Sequence, residues 1–548
     1  MSEPTATPDP TDRIYEEFLG EVASLERFRQ RFQARHPHAP LDKEDPDLRR
    51  LIEAMAYFSV QTRNATLANI RSTWRRLFAG FFDFLLEPLP AVAMIQAVAT
   101  EKMVEPVTLP RESELRLSVP SAQASFRIER ELTVLPLSFE GVKVLQRDDG
   151  DRRLLLRFRS HAHRRDAAGV LSFYVRHLDD YTTSLPVFHA LRQHLRRASV
   201  VYDAAPDADA QGAACEVAFG DSPFAPDDSA SYANPLQRIR GFFQFPEREL
   251  FVHVKVAQAT SAWRELSLYL DVGEAFEVPR EEFLLPFVVP AVNLKAEAAQ
   301  PITADGTRSE FPILNVSPNR ELSLHSVTGV FERTKSGQAP LRPGYLPGVG
   351  PSYEVDSGQT LSDRHTLVVR MPEAFQDPRK VVVEALWHQP GFAARATGRV
   401  DVSTPSRHIE GLRWQKIGPI EPHQDSPLAN DIAALTQVLA WKVKSTLSHR
   451  ELVTLLAHLG SPGSGPFAKV IPLLRDLTVE TAPDSALRGS GMRHIYDASL
   501  APFDDALLPL VVAFLRVVER ILDAWNAEAT ATLRANVLGL GPLPLPLP

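Results

Sequence analysis

The chain has 548 residues, 44% of them hydrophobic and 23% charged, and a formal net charge of −8 at pH 7. This composition is ordinary for a soluble globular protein, and the length predicts three or four domains. The acidic balance excludes an overall basic field for nucleic acid or anionic lipid. A single cysteine, Cys215, excludes an intramolecular disulfide and a cysteine-based metal cluster.

The N-terminus predicts no secretory signal. It reads MSEPTATPDPTDRIYEEF, which lacks a basic start followed by an apolar run. The longest apolar stretches elsewhere reach about ten residues, roughly half of what a membrane-spanning helix needs. We therefore expect a cytoplasmic protein without a membrane span and without nucleic-acid partners.

Residues 1–90 predict an N-terminal helical bundle. The first helix follows Asp9-Pro10, and its apolar residues recur at steps of three and four: Ile14, Phe18, Val22, Leu25, Phe28 and Phe32. The second starts at Asp45 and Pro46, a helix cap and a favoured first position, and its apolar face comprises Leu48, Leu51, Ile52, Met55 and Phe58.

Four aromatic residues close this region. Phe78, Phe81, Phe82 and Phe84 lie within seven positions and cover more than one side of a helix. A few helices cannot bury this surface among themselves, so either a partner chain or packing within the chain must cover it. These four residues are the candidate partner interface.

From residue 91 the hydrophobic period changes to that of short strands. We predict a β-rich domain at 91–285 with one helix inserted near 185–197, and a second β-rich domain at 286–400. Helical periodicity returns in a C-terminal α/β domain at 401–538, with a last helix at about 502–535, before a Pro-rich tail at 539–548. The predicted fold class is multidomain α+β, with sandwich-like or barrel-like middle domains and a mixed C-terminal domain ending in amphipathic helices.

The sequence contains no recognisable catalytic, cofactor or metal motif. It has no phosphate-binding loop, no dinucleotide fingerprint and no H-E-x-x-H helix. The neighbouring acids at 179–180 and 504–505 favour turn or cap roles, because adjacent side chains diverge on helices and strands. We expect no enzyme and no cofactor. A carbohydrate-active β-sandwich enzyme is the alternative from another class, and it requires two facing carboxylates in a cleft.

Several segments resemble one family in the same order along the chain. FLLPFVVPAVNLKAEAAQPI carries a Pro-x-Val-Asn-Leu run followed by Pro-Ile, here Pro290, Val292, Asn293, Leu294, Pro301 and Ile302. EDPDLRRLIEAMAYF supplies Asp45, Pro46, Arg50 and Leu51, and LRGSGMRHIYD supplies Arg488 and Gly489. These runs resemble the TssF family (VasA or ImpG) of type VI secretion systems. The stretch 335–400 departs from the family pattern.

The resemblance implies a structural role without catalysis or a cofactor. Family members assemble as two copies with one TssG, and with TssK and TssE, into baseplate wedges around the spike and its VgrG hub. The sheath grows from this platform, which associates indirectly with the inner-membrane complex. A wedge protein of a phage tail or a phage-derived contractile injection particle is the closer alternative. A buried Asn293 between apolar neighbours is expected to fix the backbone where a strand ends.

Overall fold

The structure is a computed structural model. It describes residues 10–38, 45–148, 150–220, 224, 235–280, 282–317, 321–346, 348–356, 365–371, 377–405, 409–428, 431–460, 465–483, 491–526 and 529–543. The chain divides into two compact units, Met1–Phe81 and Phe82–Pro548. Helices and many sheets confirm the multidomain α+β class. The finer domain boundaries at 90, 285, 400 and 538 stay predictions.

The α-helices of the described residues are mostly concentrated at the two ends of the chain. They are α1 Pro10–Arg35, α2 Pro46–Phe82, α3 Tyr181–His194, α4 Pro235–Gln244, α5 Phe392–Arg395, α6 Ile432–Lys442, α7 His449–His458 and α8 Leu508–Trp525. The helix predicted near 185–197 is α3. Asp180 caps it by accepting a hydrogen bond from the Thr183 backbone N–H, as expected for one of the paired acids.

The first unit consists of α1 and α2 running antiparallel. Glu21 accepts a hydrogen bond from the Ser59 hydroxyl at 3.0 Å, and Glu17 lies 3.4 Å from the Arg63 guanidinium, so the residue order reverses between the helices. Apolar side chains are buried along one line of α2 at four-residue steps: Ile52, Ala56 and Val60.

In the described part of the second unit, fifteen strands precede residue 293. They are β1 Val92–Ala99, β2 Val107–Leu109, β3 Glu114–Val119, β4 Ala122–Ile128, β5 Leu132–Val134, β6 Leu137–Gln146, β7 Arg152–Arg164, β8 Val170–Val175, β9 Leu195–Tyr202, β10 Ala213–Ala214, β11 Glu216–Phe219, β12 Phe251–Lys255, β13 Trp263–Val272, β14 Leu284–Pro286 and β15 Val288–Val292. One sheet has the order β10-β9-β13-β7-β6, and another has the order β11-β12-β8-β14. Strands β2 and β5 form a separate pair.

Eleven further strands follow among the described residues up to 421. They are β16 Lys295–Ala298, β17 Ile302–Ala304, β18 Glu310–Pro312, β19 Ser323–Thr334, β20 Gly337–Pro340, β21 Arg342–Pro343, β22 Ser352–Asp356, β23 Thr366–Arg370, β24 Arg379–His388, β25 Asp401–Ser403 and β26 Leu412–Glu421. Strands β16 to β24 form two sheets over their own core, which includes Phe311, Leu367 and Trp387.

A six-stranded sheet brings distant parts of the chain together in the order β25-β3-β4-β15-β1-β26. Its two edge strands, β25 and β26, lie beside each other, so the sheet nearly closes into a barrel. Strand β1 is buried along most of its length, because β15 and β26 flank it on both sides. The barrel joins the N-terminal, middle and C-terminal parts of the second unit.

The C-terminal region corrects the prediction of one long final helix. Helix α8 ends at Trp525, and the chain then forms the strands of a last sheet: β27 Leu474–Pro483, β28 Met492–Leu500, β29 Ala529–Val537 and β30 Gly541–Leu543. Strands β28 and β29 are parallel, and α8 connects them. The alternating stretch ATATLRANV, with two β-branched threonines, suits a strand better than a helix.

Candidate interaction surface

One face of α2 carries exposed apolar side chains along almost its whole length. Steps of three and four residues connect its members, which we name the α2 stripe: Leu51, Met55, Phe58, Thr62, Thr66, Ile70, Trp74, Leu77 and Phe81. Trp74 is half-buried and the others are exposed, with Phe58 at 66%. At about 1.5 Å per residue the α2 stripe is about 45 Å long. An exposed apolar surface of this size is a candidate interaction surface.

The middle of the α2 stripe is concave. A groove of about 590 Å³ runs along α2 there, lined by Met55, Phe58, Ser59, Thr62, Arg63, Thr66 and Leu67. Its lining combines small hydroxyl-bearing residues with larger apolar side chains and one arginine. The groove therefore offers an apolar depression to a protruding side chain of another element.

The structure separates the four aromatic residues that the sequence grouped as surplus. Phe78, Phe82 and Phe84 are 0%, 1% and 3% exposed, whereas Phe81 is 56% exposed. Phe82 stacks on Trp525 at 5.9 Å between ring centroids and meets Phe84 edge to face at 6.4 Å. Three of the four are thus covered within the chain, which corrects the expectation that all are surplus, and only Phe81 remains on an open surface.

The structure divides the apolar face that periodicity predicted for α2. Ile52 is buried with Ala56, whereas Leu51, Met55 and Phe58 are exposed. Helix α2 therefore has two apolar lines, and periodicity alone does not show which of them is covered. An ordinary surface helix needs a single apolar face, so the second line is available to a partner.

The motif residues at the start of α2 shape the helix terminus. The Asp45 carboxylate accepts a hydrogen bond from the Asp47 backbone N–H at 2.9 Å, and its carbonyl accepts one from the Arg49 N–H. Pro46 is the first helical residue. Arg50 lies 3.8 Å from Asp47 on an exposed surface, and Leu51 starts the α2 stripe. Arg488 and Gly489 lie outside the described residues.

The hydrogen bonds of Asn293 explain why an amide side chain occurs in the apolar run around β15. It is 1% exposed at the end of β15, and its backbone N–H donates to the Ala91 carbonyl at 2.7 Å. Its Nδ2 donates to the Ser125 carbonyl at 2.9 Å, and its Oδ1 accepts from the Gln389 N–H at 2.7 Å. Asn293 follows β15 of the barrel and leads into the 295–388 sheets. Its hydrogen bonds to Ser125 and to Gln389, the residue after those sheets, connect the sheets to the barrel.

The other residues of this motif support the same junction. Pro290 lies within β15, and its carbonyl accepts from the Glu129 N–H at 2.9 Å. Val292 ends the strand, and the Leu294 N–H donates back to its carbonyl at 2.7 Å. Pro301 is exposed, whereas Ile302 is buried in the core of the 295–388 sheets. The motif therefore fixes backbone and does not present a reactive group.

A buried polar cluster lies close to this junction. The rings of His325 and His388 are 5.9 Å apart, and His388 stacks on His423 at 4.7 Å. Burial, followed by neighbouring positive charge, lowers the pKa of His325 to about 3 and that of His388 to about 2. The Glu87 carboxylate lies 3.7 Å from His325 Nε2, and burial followed by Asp83 raises the pKa of Glu87 to about 7.

Arg240 connects this cluster to helix α4. Its guanidinium donates to the backbone carbonyls of Phe84 and Glu87, and burial lowers its pKa to about 10. The cluster therefore holds the segment after α2 against α4 by hydrogen bonds to main-chain oxygens. Within the described part of the chain, no group of three or more His, Cys, Asp or Glu residues could hold a metal ion.

No helix among the described residues is long and apolar enough to cross a membrane.

The acids at 504–505 also follow the cap expectation, because the Asp504 carboxylate accepts a hydrogen bond from the Ala506 N–H at the start of a short 3₁₀ helix.

Comparison with solved structures shows a shared fold. One match is a chain from the structure of a type VI secretion system TssK-TssF-TssG baseplate subcomplex. The TM-score is 0.71 and the sequence identity is 14%, over 90% of this chain and 97% of that chain. A second match is a chain from the structure of a baseplate complex of the type VI secretion system. Its TM-score is 0.59 and its sequence identity is 15%, over 96% of this chain and 98% of that chain. Comparison with curated proteins gives no match.

The protein-family model described as "Type VI secretion system, TssF" matches residues 11–355 of the chain. This range covers more than half of the chain and includes α1, α2, Asn293 and most of the barrel strands. It also includes the motif runs from Asp45 to Leu51 and from Pro290 to Ile302. The chain therefore belongs to the TssF family of type VI secretion systems.

Proposed function

We propose that this protein is a non-enzymatic structural subunit of a type VI secretion baseplate wedge, and that the α2 stripe is its main assembly surface. Family membership supports the baseplate role. The observation that carries the assembly surface is the exposure of large apolar residues along α2, among them Phe58, Leu77 and Phe81. Burying such surface against another chain provides the favourable free energy of assembly.

The proposed partners follow from the complexes that share the fold. One matched structure is a subcomplex of TssK, TssF and TssG. We propose TssG and a second copy of this chain as the occupants of the helical surface, with TssK, TssE and the spike hub as further components of the wedge. The wedge is proposed to act on the cytoplasmic side, docked to the inner-membrane complex, as the platform for sheath growth.

Two regions have distinct proposed tasks. The α1–α2 unit supplies contact surface, because large apolar side chains such as Phe58 and Phe81 are exposed on it. The second unit supplies rigid spacing, because the barrel holds β1, β15 and β26 in one sheet and Asn293 joins that sheet to the 295–388 strands. A rigid body that carries an apolar helix is a suitable building block for a wedge.

Co-production with the TssG and TssK of the same gene cluster tests the proposal. A double variant with Phe58→Asp and Leu77→Asp places charge on the α2 stripe, and we expect co-purification of TssG to fall at least tenfold. Circular dichroism and size-exclusion chromatography of the variant should match those of the original protein, because both side chains are exposed.

Tyr57→Asp is the matched control. Tyr57 is as exposed as the stripe residues and is adjacent to Phe58, but it lies on another side of the helix. Its replacement should leave TssG co-purification unchanged. Undiminished TssG binding by the folded double variant would contradict the α2 stripe as the assembly surface. Loss of binding with Tyr57→Asp alone would contradict it as well.

A further inference from the structure

Residues 295–388, which we name the arm, form a body of their own within the second unit. Among the described strands, β16 to β24 pair only with one another and with no strand of the barrel. The buried apolar residues that pack together in this region all lie between Ala299 and Trp387. The arm is therefore an insertion with its own sheets and its own core, and the chain crosses between it and the barrel twice.

The two crossings lie side by side. The chain enters the arm after Asn293 and leaves it at Gln389, and the Gln389 N–H donates to Asn293 Oδ1 at 2.7 Å. Each crossing is also held to the barrel, because Asn293 Nδ2 donates to the Ser125 carbonyl and Gln389 Nε2 donates to the Gln123 carbonyl, both at 2.9 Å. These bonds fix the position of an axis through the crossings, and a few residues at element ends are enough to form such a hinge.

Two ring contacts at the same end of the arm restrain its angle about this axis only weakly. The His388 ring stacks on the His423 ring at 4.7 Å. His325 Nε2 lies 3.7 Å from the Glu87 carboxylate, which is too long for a hydrogen bond. Burial lowers the pKa of His325 to about 3, so the ring is neutral at pH 7 and forms no ion pair with Glu87. Polar interfaces between domains allow relative motion.

A bidentate ion pair provides a more specific restraint. The Arg395 guanidinium donates to the two Glu321 carboxylate oxygens at 2.5 and 2.7 Å. Arg395 ends α5, where Phe392 is fully buried and meets Phe126 of β4 edge to face at 5.8 Å between ring centroids. The pair thus connects the arm to a helix that is anchored on the barrel. Because the Glu321 and Arg395 side chains are 45% and 31% exposed, the pair can open without exposing a core.

We propose that the arm turns as one body about the axis through Leu294 and Gln389, and that the Glu321–Arg395 pair is the latch that holds it in the observed orientation. With the latch closed, the second unit is rigid, as the proposed structural role requires. With the latch open, the hydrogen bonds at the crossings keep the axis in place while the angle of the arm changes.

The length of the arm converts a small turn into a large displacement. Ser323 pairs with His388 beside the crossings, and β19 continues from there to Thr334. At about 3.3 Å per residue, the far end of this strand lies about 35 Å from the crossings. A turn of about 10° then displaces the far end by about 6 Å. Opening the latch therefore changes what the arm can reach, while the strand pairing of the barrel stays the same.

Distances between spin labels, measured by double electron–electron resonance on the isolated full chain, test this proposal. In a Cys215→Ser background, Lys335→Cys labels the far end of the arm and Arg116→Cys labels β3 of the barrel, and both positions are exposed. We expect one narrow distance distribution with the latch intact. Arg395→Glu places two carboxylates opposite each other, and the distribution should become at least twice as wide.

Exchange of the two charges is the matched control. Glu321→Arg combined with Arg395→Glu restores an ion pair, and it should restore the narrow distribution. Arg399→Glu removes a different exposed ion pair, which Arg399 forms with Asp401 at the start of β25 at 3.3 Å. This variant should leave the distribution narrow. Circular dichroism checks that each variant is folded.

A label pair within the arm tests whether it moves as one body. Lys335→Cys with Glu310→Cys, an exposed position on β18, should give a narrow distribution in every variant. An unchanged distance between the arm and β3 in folded Arg395→Glu would overturn the latch and the hinge. Widening by Arg399→Glu, widening within the arm, or a wide distribution that the exchanged charges do not narrow would overturn them as well.

Discussion

Asn293 shows how one buried amide can fix the joint between two parts of a molecule. Its side chain satisfies a carbonyl at Ser125 and an N–H at Gln389, which belong to different strand systems. A leucine there would have nearly the same volume and neither hydrogen bond. The two main-chain groups would then remain buried without these partners, and each such loss costs about 1–3 kcal/mol.

We therefore predict that Asn293→Leu lowers the free energy of unfolding by on the order of 3 kcal/mol. Urea denaturation followed by circular dichroism measures the change. Asn536→Leu is the control, because Asn536 is exposed on β29, and it should change stability by less than about 0.5 kcal/mol. Equal effects of the two substitutions would remove the special role of Asn293.

Protonation of His388 provides a second test at the residue scale. An unfolded histidine binds a proton near pH 6.5, whereas burial lowers the pKa of His388 to about 2 in the fold. The unfolded state thus binds more protons as pH falls below 6.5, and folding loses stability there. Glu87 acts in the opposite direction, since its raised pKa of about 7 favours the fold as pH falls from 7 towards 4.5.

His388→Phe keeps a ring against His423 and removes the proton site. We predict a smaller loss of melting temperature between pH 6.5 and pH 4.5 for this variant than for the original protein, as measured by thermal denaturation at several pH values. His163→Phe at an exposed position should leave the pH dependence unchanged. A pH profile of His388→Phe that parallels the original would show that His388 does not contribute.

At the scale of elements, two adjacent phenylalanines at the end of α2 differ sharply in their exposure. Phe82 is 1% exposed and stacks on Trp525, whereas Phe81 is 56% exposed. We predict that Phe82→Ala costs about 3–5 kcal/mol of stability, the usual range for a buried phenylalanine. Phe81→Ala should cost under about 0.5 kcal/mol and should weaken TssG binding instead. Chemical denaturation and co-purification together measure both effects.

The sequence predicted element types well where one pattern dominated. The helices α1, α2, α3, α6 and α7 and the many short strands followed from periodicity and turn residues. The last helix was predicted too long, because the strand pattern of residues 529–537 is short and the parallel pairing with β28 that holds this strand is a long-range contact. Local propensity cannot reveal such a partner strand.

The candidate surface was only partly predictable for a related reason. Periodicity shows that α2 has apolar residues on more than one side, but it does not show which line meets α1. The hydrogen bonds of Glu17 and Glu21 to α2 settle this choice, and they join residues 47 and 38 positions apart. The resemblance to TssF identified Asn293 as a motif residue. Its partners Ser125 and Gln389 become visible only in the folded barrel.

At the scale of the whole molecule, the two units differ in how much of their surface is covered. Among residues 14–35 of α1, Arg29 is the one buried side chain, whereas the second unit has several extensive cores. A helix pair with little buried apolar surface opens locally at low free-energy cost, and its amides exchange with solvent quickly. The isolated chain should therefore protect residues 10–81 far less than strands β1, β7 and β13.

Assembly should reverse this difference. We predict that TssG and a second copy slow amide exchange across residues 45–81 by at least tenfold and leave β7 and β13 unchanged. Hydrogen exchange with mass spectrometry, with and without the assembled partners, measures both regions in one experiment. The double variant with Phe58→Asp and Leu77→Asp should show no such protection at equal protein concentration. Strong protection of the helices in the isolated original chain would mean that α2 is already covered and needs no partner.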